Sequence, residues 1–259
     1  MPHDVIFVHG MFMTPKSWAA WIARFSEYGY RCHAVAWPGH EGEPRALRAA
    51  PPEILRTTTL RDVMETHRAF ISTLPRKPIV VGHSVGGLIA QRLLNEGLVE
   101  AAVALDSAPP KGILAAKWSF FRANLPVVNP FAGSRPFQFT LEQFHYAFCN
   151  TISLEETRPV FDALVVPESR KVARGPAGPE GVIDFAKAHA PLLIIGGERD
   201  HIVPWQLNEK NFRAYKDPGS VREFRVFPDR DHFLCGQRGW EELADYIHGW
   251  LQTSLPKGP

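Results

Sequence analysis

Short apolar segments alternate with longer amphipathic segments along most of the chain. The apolar segments are rich in valine, isoleucine, leucine and alanine, and polar or glycine-containing turns follow them. Segments that are apolar at nearly every position are typical of parallel strands buried on both faces. The pattern predicts six strands: Val5–His9, Arg31–Ala36, Ile79–Val81, Ala101–Leu105, Leu192–Ile195 and Phe224–Phe227.

In the longer segments, apolar side chains recur three or four positions apart, as they do on one face of a helix. Val63, Phe70 and Leu74 share such a face in the segment Leu60–Leu74. Further helices are predicted over Pro15–Glu27, Ser84–Glu96, Pro204–Tyr215 and Trp240–Leu251. The alternation predicts an α/β fold, with a mainly parallel six-stranded sheet covered by helices on both faces.

Residues 109–181 interrupt this alternation with a segment rich in proline and aromatic residues. A structureless loop of that length is uncommon in a compact domain, so we expect a mostly helical insertion. Because it follows the carboxyl end of a predicted strand, where ligands bind in such sheets, we interpret it as a cap over a functional site. An ordinary subdomain packed on the core is the alternative. The core is then expected to comprise residues 1–108 and 182–259.

Composition narrows the possible classes of function. The chain of 259 residues has a formal net charge of +2 and no lysine- or arginine-rich run, so nucleic-acid binding is not expected. The densest basic group, Arg170, Lys171 and Arg174, is interpreted as a solvated loop. Its three cysteines are widely spaced and fit neither a zinc site nor a disulfide framework. With no apolar run long enough for a membrane helix and no signal-like segment, we expect a cytoplasmic monomer or homodimer without stable membrane insertion. No metal and no cofactor are expected.

One motif points to nucleophilic chemistry. Residues Gly82-His83-Ser84-Val85-Gly86 match the pattern G-x-S-x-G between a predicted strand and a predicted helix. In that context the serine hydroxyl is held on a sharp turn above the sheet, and the helix N-terminus favours a developing negative charge. Ser84 is therefore the predicted nucleophile. The alternative is a serine that merely caps the helix.

A serine nucleophile needs a general base and an acid that orients it, and in this architecture both follow the serine in the chain. Asp200 and His232 follow the fifth and sixth predicted strands, so they are the predicted acid and base. Asp106, after the fourth strand, is the rival acid, and His201 is a weaker candidate base. Glu198 and Asp231 are interpreted as structural.

An oxyanion hole requires two backbone N–H groups. Val85, directly after the nucleophile, is expected to donate one of them. The loop after the first strand is expected to donate the other, with Met11 as the preferred residue and Phe12 as the second choice. His9 and His83 are interpreted as groups that brace these loops.

Five stretches, FVHGMF, WPGHEG, VVGHSVGG, GGERDHIVP and DRDHF, together resemble the α/β-hydrolase superfamily in its esterase/lipase-like branch. The resemblance extends from Val5 to the final helix, and only the cap lacks recognisable motifs. It implies an α/β-hydrolase fold without the first two strands. The nucleophile, acid, base and oxyanion positions of the family then fall on Ser84, Asp200, His232, Val85 and Met11.

The expected activity is hydrolysis of a small-to-medium, largely apolar carboxylic ester through an acyl-enzyme. Cap aromatic residues motivate the apolar substrate, since binding pockets are mostly apolar with a few placed polar groups. A fold does not decide between chemistries, and several alternatives use the same triad. They are a lactonase, a carbon–carbon bond hydrolase, an acyltransferase, and a ligand receptor or signalling protein with little turnover.

Overall fold

The computed structural model describes residues 2–114 and 117–255, and these form a six-stranded sheet. The strands are β1 (Asp4–Val8), β2 (Arg31–Ala34), β3 (Ile79–His83), β4 (Ala101–Leu105), β5 (Leu192–Gly197) and β6 (Arg222–Phe227). Their order is β2-β1-β3-β4-β5-β6, and every neighbouring pair is parallel. The predicted six-stranded parallel sheet is confirmed.

Two apolar layers cover the sheet because successive strand residues point to opposite faces. Val5 and Phe7 of β1 pack into one layer, whereas Ile6 and Val8 pack into the other. The first layer contains helices α1 (Ala19–Glu27) and α10 (Trp240–Ser254). The second contains α3 (Leu60–Ser72), α4 (Val85–Asn95) and α9 (Trp205–Ala214).

The predicted element bounds need small corrections. The helix predicted from Pro15 begins with a 3₁₀ turn, Pro15–Trp18, because the Thr14 side chain caps that turn, and α1 follows it. Strand β2 ends at Ala34 rather than Ala36, where its pairing with β1 ends. The sequence pattern also missed the short helix α2 (Pro44–Ala49), which starts with proline at its first position.

The segment between β4 and β5 is mostly helical, as expected. Its helices are α5 (Trp118–Val128), α6 (Leu141–Phe148), α7 (Leu154–Leu164) and α8 (Arg170–Arg174). A single β-bridge within the described residues joins Phe137 to Glu168 across this segment. Its aromatic side chains pack together and reach the core at Phe12, whose ring centroid is 4.4 Å from that of Phe139. No helix among residues 2–114 and 117–255 has the length and apolarity needed to cross a bilayer.

Candidate active site

The strand order places two loops side by side at one edge of the sheet. Strands β2 and β3 lie on opposite sides of β1, so the chain direction across the sheet reverses between β1 and β3. Ligands in open α/β sheets bind at such a switch point, outside the carboxyl ends of the strands. The loop after β1 begins at His9, and Ser84 follows β3 directly. A Cβ atom added to Gly10 would lie 2.9 Å from the Ser84 Cβ, so glycine lets the two loops touch.

Ser84 has a strained backbone at the turn between β3 and α4. Its φ and ψ angles are 58° and −121°, a conformation that non-glycine residues rarely adopt. Its N–H donates to the Leu105 carbonyl oxygen, and its own carbonyl accepts from Gly87 and Ala108. The Ser84 hydroxyl makes no capping hydrogen bond to α4. The geometry therefore differs from that of a helix-capping serine, in which the hydroxyl accepts from the helix N-terminus.

Glycine is required on both sides of this turn. A Cβ added to Gly82 would lie 2.0 Å from the Gly86 carbonyl oxygen, and one added to Gly86 would lie 2.2 Å from the Val8 carbonyl oxygen. Each contact involves backbone atoms of packed elements, which cannot move aside as a flexible side chain can. The motif spacing thus follows from the close packing of β1, β3 and α4.

Replacing Gly86 with alanine should lower the free energy of unfolding by about 3 kcal/mol, the upper end for overpacking a core. Urea denaturation followed by circular dichroism measures the change. Gly249→Ala is the matched control, because Gly249 lies in α10 and an added Cβ there would meet no atom within 4 Å. That control should be neutral or slightly stabilising. Equal effects of the two substitutions would contradict the proposed backbone clash.

The structure brings Asp200 and His232 together, although 32 positions separate them in the sequence. The Nδ1 atom of His232 lies 2.7 Å from Oδ2 of Asp200, and both side chains are fully buried. A carboxylate only accepts hydrogen bonds, so Nδ1 carries the ring proton and Nε2 is left as the basic nitrogen. Nε2 has no hydrogen-bond partner among the described residues, Ser84 included. Catalytic hydrogen bonds are often long or poorly aligned in an unliganded protein and tighten when substrate binds.

Asp200 is held in place by the loop that follows β5. Its Oδ1 atom accepts hydrogen bonds from the N–H groups of Ile202, at 2.7 Å, and Val203, at 2.9 Å. Together with the His232 contact, both carboxylate oxygens are occupied. A carboxylate fixed at both oxygens suits a group that orients an imidazole and stabilises its positive charge.

The rival acid Asp106 is buried nearby in a different environment. Its Oδ1 atom accepts from the Gly197 N–H at 2.6 Å, whereas Oδ2 has no partner among the described residues. Burial raises the pKa of Asp106 well above its usual range, and the adjacent Asp200 carboxylate adds to the shift. Asp106 is thereby biased towards its neutral form. His232 donates its Nδ1–H hydrogen bond to Asp200 rather than to Asp106.

The other candidate residues hold loops around this pair. Glu198 accepts from the Asp229 N–H, and Asp231 accepts from the Phe233 N–H. His201 lies next to Asp200 in the sequence, but its Nδ1 atom contacts the Tyr146 carbonyl oxygen at 2.9 Å. His83 directs Nε2 to the His232 carbonyl oxygen at 2.8 Å. Each of these side chains therefore has a hydrogen-bonding contact that explains its position without a catalytic role.

Two backbone donors flank Ser84. The N–H groups of Met11 and Val85 do not donate to any protein acceptor within the part of the chain that the structure describes. The Phe12 N–H, by contrast, lies 3.4 Å from Oε2 of Glu168. Phe12 also has a φ angle of 68°, so the loop turns sharply at this residue. Met11 is thus better placed than Phe12 to donate to a bound oxyanion.

A cavity of about 440 Å³ opens at these groups. Met11, Ser84 and Val85 line it from the core, and residues of α5 line it from the inserted segment. Apolar side chains form most of the wall, and the polar side chains among the lining residues are those of Ser84, Lys111 and Asn124. The dimensions and lining match those of a site for an apolar small molecule.

Three buried side chains come close enough to be considered as metal ligands. His83, Asp106 and His232 offer ligand atoms within 4.8 Å of one another. Two of these side chains already have hydrogen-bond partners in the protein. His83 donates to the His232 carbonyl oxygen, and Asp106 accepts from the Gly197 N–H, so neither contact requires a metal ion. A cation here would also oppose the positive charge that His232 gains when it acts as a base. The expected absence of a metal or cofactor stays a prediction.

Sequence reasoning missed one buried carboxylate at this site, Glu168. It is fully buried and contacts the loop that contains Met11 and Phe12. Its sequence context, Val-Val-Pro-Glu-Ser, resembles an ordinary loop, and 156 positions separate it from Phe12. The only local signal is an acidic residue placed directly after an apolar pair and a proline.

A sequence model of the alpha/beta hydrolase family matches residues 5–246 of the chain. The chain belongs to the alpha/beta hydrolase family. The match covers both halves of the sheet and the helical segment inserted between them. The resemblance inferred from the motifs is therefore confirmed for this alpha/beta hydrolase.

Solved structures similar to this alpha/beta hydrolase share its fold at low sequence identity. A monoacylglycerol lipase from Paleococcus ferrophilus is 20% identical with a TM-score of 0.69, covering 98% of this chain and 96% of that chain. A pyrethroid hydrolase from Sphingobium faniae JZ-2 is 18% identical with a TM-score of 0.70, covering 97% and 98%. A methylesterase from Arabidopsis is 16% identical with a TM-score of 0.68, covering 97% and 99%.

A sequence relative matches a smaller part of this alpha/beta hydrolase. The uncharacterized protein YfhR of Escherichia coli (strain K12) is 34% identical over 62 residues. The match covers 22% of this chain and spans about a fifth (21%) of the length of YfhR. Activity, substrate and partners are therefore inferred from the site itself.

Proposed function

We propose that the protein is a serine hydrolase that cleaves small-to-medium, largely apolar carboxylic esters. The observation that carries the proposal is the placement of Ser84 on a strained turn at the wall of an apolar cavity. The buried pair Asp200–His232, with a free basic nitrogen on His232, supports it. The lipase, pyrethroid hydrolase and methylesterase named above agree with an ester substrate.

In the proposed reaction His232 removes the Ser84 proton while the hydroxyl oxygen attacks the ester carbonyl. The tetrahedral oxyanion accepts hydrogen bonds from the N–H groups of Met11 and Val85. Asp200 holds the imidazole in the required tautomer and stabilises its positive charge. His232 then protonates the leaving alkoxide, and a water molecule activated by His232 cleaves the acyl-enzyme. No cofactor takes part in these steps.

The segment of residues 109–181 serves in this proposal as a cap that selects the acyl group. Helix α5 contributes Phe120, Ala123 and Val127 to the wall of the cavity that Ser84 also lines. Binding an apolar chain there removes apolar surface from water, which favours longer chains at about 0.8 kcal/mol for each buried methylene. Cytoplasmic location and a monomeric or homodimeric state stay predictions.

Labelling with a fluorophosphonate probe, followed by peptide mapping, tests the assignment of the nucleophile. The expected product is a phosphonylated Ser84. A p-nitrophenyl ester series from acetate to octanoate tests the substrate class, with kcat/KM expected to rise with chain length. Labelling elsewhere would contradict the role of Ser84. A preference for short charged acids would contradict the apolar substrate.

Ala123→Phe should change the chain-length preference. The added ring would project into the cavity from α5 and displace about four methylenes of a long acyl chain. Octanoate hydrolysis should then fall about 200-fold relative to acetate hydrolysis, at about 0.8 kcal/mol for each methylene. The kcat/KM ratio of the two esters is the measurement. Ala163→Phe, on the exposed face of α7, is the matched control, and an equal change in both variants would contradict this arrangement of the cavity.

A further inference from the structure

A fully buried carboxylate from the inserted segment lies against the loop that contains Met11. Glu168 lies between α7 and α8, and its side chain is completely shielded from solvent. Its Oε1 atom accepts from the Ser169 N–H at 2.6 Å, and its Oε2 atom accepts from the Phe12 N–H at 3.4 Å. Burying a carboxylate costs free energy unless donors such as these compensate it, so we asked what Glu168 does at this position.

Polar side chains continue from Glu168 to the start of the same loop. The Nε2 atom of His40 lies 3.3 Å from Oε2 of Glu168, and His40 is fully buried. The His40 ring lies 5.6 Å from that of His9, which stacks on Trp37 at 4.5 Å. The Nδ1 atom of His9 contacts the Gly10 carbonyl oxygen at 2.9 Å. Burial lowers the pKa of His9 well below its usual range, with His40 adding to the shift.

Both backbone polar groups of Phe12 bind the inserted segment. Its N–H donates to the Glu168 carboxylate, and its carbonyl oxygen accepts from the Val166 N–H at 2.9 Å. These two contacts oppose the cost of the positive φ angle at Phe12, a conformation that needs support from its surroundings. With the Phe12 N–H turned towards Glu168, the N–H of Met11 is the donor left for the cavity.

We propose that Glu168 is a positioning residue that sets the oxyanion hole, by fixing Phe12 so that the Met11 N–H faces the substrate. The inference rests on the proposed function, since it assigns the geometry of that same site. In this arrangement the inserted segment contributes to catalysis through the loop as well as through the cavity wall. Glu168 touches neither the substrate nor Ser84, and it acts through Phe12 and Met11.

Two substitutions of Glu168 test the role. In Glu168→Gln the side-chain oxygen should stay on the Ser169 N–H, which makes the shorter of the two hydrogen bonds. The new NH₂ group then faces the Phe12 N–H, and since both are donors that hydrogen bond is lost. Glu168→Ala removes both acceptor oxygens, so its effect does not depend on the orientation that the glutamine amide adopts in Glu168→Gln. Ser169→Ala is the matched control, because the Ser169 hydroxyl also ties the inserted segment to the core, donating to the Thr58 carbonyl oxygen at 2.6 Å. The hydrogen bonds of the Ser169 hydroxyl go to the Thr58 carbonyl oxygen and the Lys171 N–H, and none goes to Phe12.

Kinetics and inhibitor binding distinguish positioning from structural support. Both Glu168 variants should lower kcat about 10- to 100-fold with KM nearly unchanged, a part of the roughly 10²–10³-fold loss for a whole oxyanion donor. An alkyl trifluoromethyl ketone provides the second readout. The Ser84 oxygen bonds to its carbonyl carbon, the C=O pair becomes an oxyanion, and the proton moves to His232. Its Ki should rise by the same factor as kcat falls, whereas Ser169→Ala should change neither value.

Hydrogen–deuterium exchange gives a readout that does not need turnover. The peptide covering residues 10–14 should exchange faster in both Glu168 variants than in wild type or Ser169→Ala, with thermal unfolding used to verify the fold. Unchanged kcat and Ki in the Glu168 variants, or exchange equal to that of Ser169→Ala, would overturn the inference. Failure of the wild type to hydrolyse esters or to react with a fluorophosphonate would instead overturn the proposed function, and the exchange result would still decide whether Glu168 fixes the loop.

Discussion

Replacing Ser84 with alanine should lower kcat for ester hydrolysis by about a million-fold, comparable to the loss on removing a triad serine from subtilisin. The substitution deletes the oxygen that would form the acyl-enzyme and leaves the rest of the site in place. Folding should survive, since the Ser84 hydroxyl makes no capping hydrogen bond and the side chain is small. Steady-state rates with p-nitrophenyl butyrate and loss of fluorophosphonate labelling measure the effect.

Ser107→Ala is the matched control for this experiment. Ser107 is also a buried serine near α4, and its hydroxyl accepts from Gln91 and donates to the Ala108 carbonyl oxygen. Its loss should reduce stability by about 1 kcal/mol, as for a typical buried hydrogen bond, and leave kcat within a few-fold of wild type. If Ser84→Ala retained full activity while folded, the proposed nucleophile would be wrong.

Replacing Asp200 with asparagine should lower kcat by about 10⁴-fold, as the same change does in a chymotrypsin-type triad. Asparagine can offer its N–H₂ group to His232, which favours the tautomer with a proton on Nε2. That nitrogen could then no longer accept the Ser84 proton. The substitution conserves shape, so the thermal unfolding temperature should change by only a few degrees. The pH–rate profile and kcat with a fixed ester are the measurements.

Asp106→Asn separates the two candidate acids. Burial already biases Asp106 towards its neutral form, and an amide is a close mimic of a neutral carboxyl. Its Oδ1 contact with the Gly197 N–H can be kept by the amide oxygen. We expect less than a tenfold loss of kcat. A larger loss for Asp106→Asn than for Asp200→Asn would assign the acid to Asp106 instead.

The strands were predictable because each apolar run carries its own local signal. Residues 101–105, for example, are apolar throughout and form a strand buried at every position. Two features were less predictable: the division of the segment Pro15–Glu27 into a 3₁₀ turn and α1, and the existence of the short helix α2. A 3₁₀ turn and a short proline-initiated helix depend on a few capping contacts, which hydrophobic periodicity does not report.

The candidate site was partly predictable for a similar reason. Ser84 lies in a motif whose glycines are required by local packing, so the signal is contained in five adjacent residues. Asp200 and His232 were located from chain order and strand ends, and the structure supplies the 2.7 Å contact between them. Glu168 had no such rule, because its role arises only where the inserted segment meets the β1 loop.

The sequence by itself determined the sheet, the turn that presents Ser84, and the order in which the acid and base follow. These features depend on periodicity and on backbone geometry over a few neighbouring residues. Only the tertiary structure decided that Asp200 rather than Asp106 bonds His232, that Met11 rather than Phe12 keeps a free N–H, and that Glu168 lies behind that loop. The physical reason is that hydrogen bonds and burial depend on distances between segments far apart in the chain, which only the packed fold establishes.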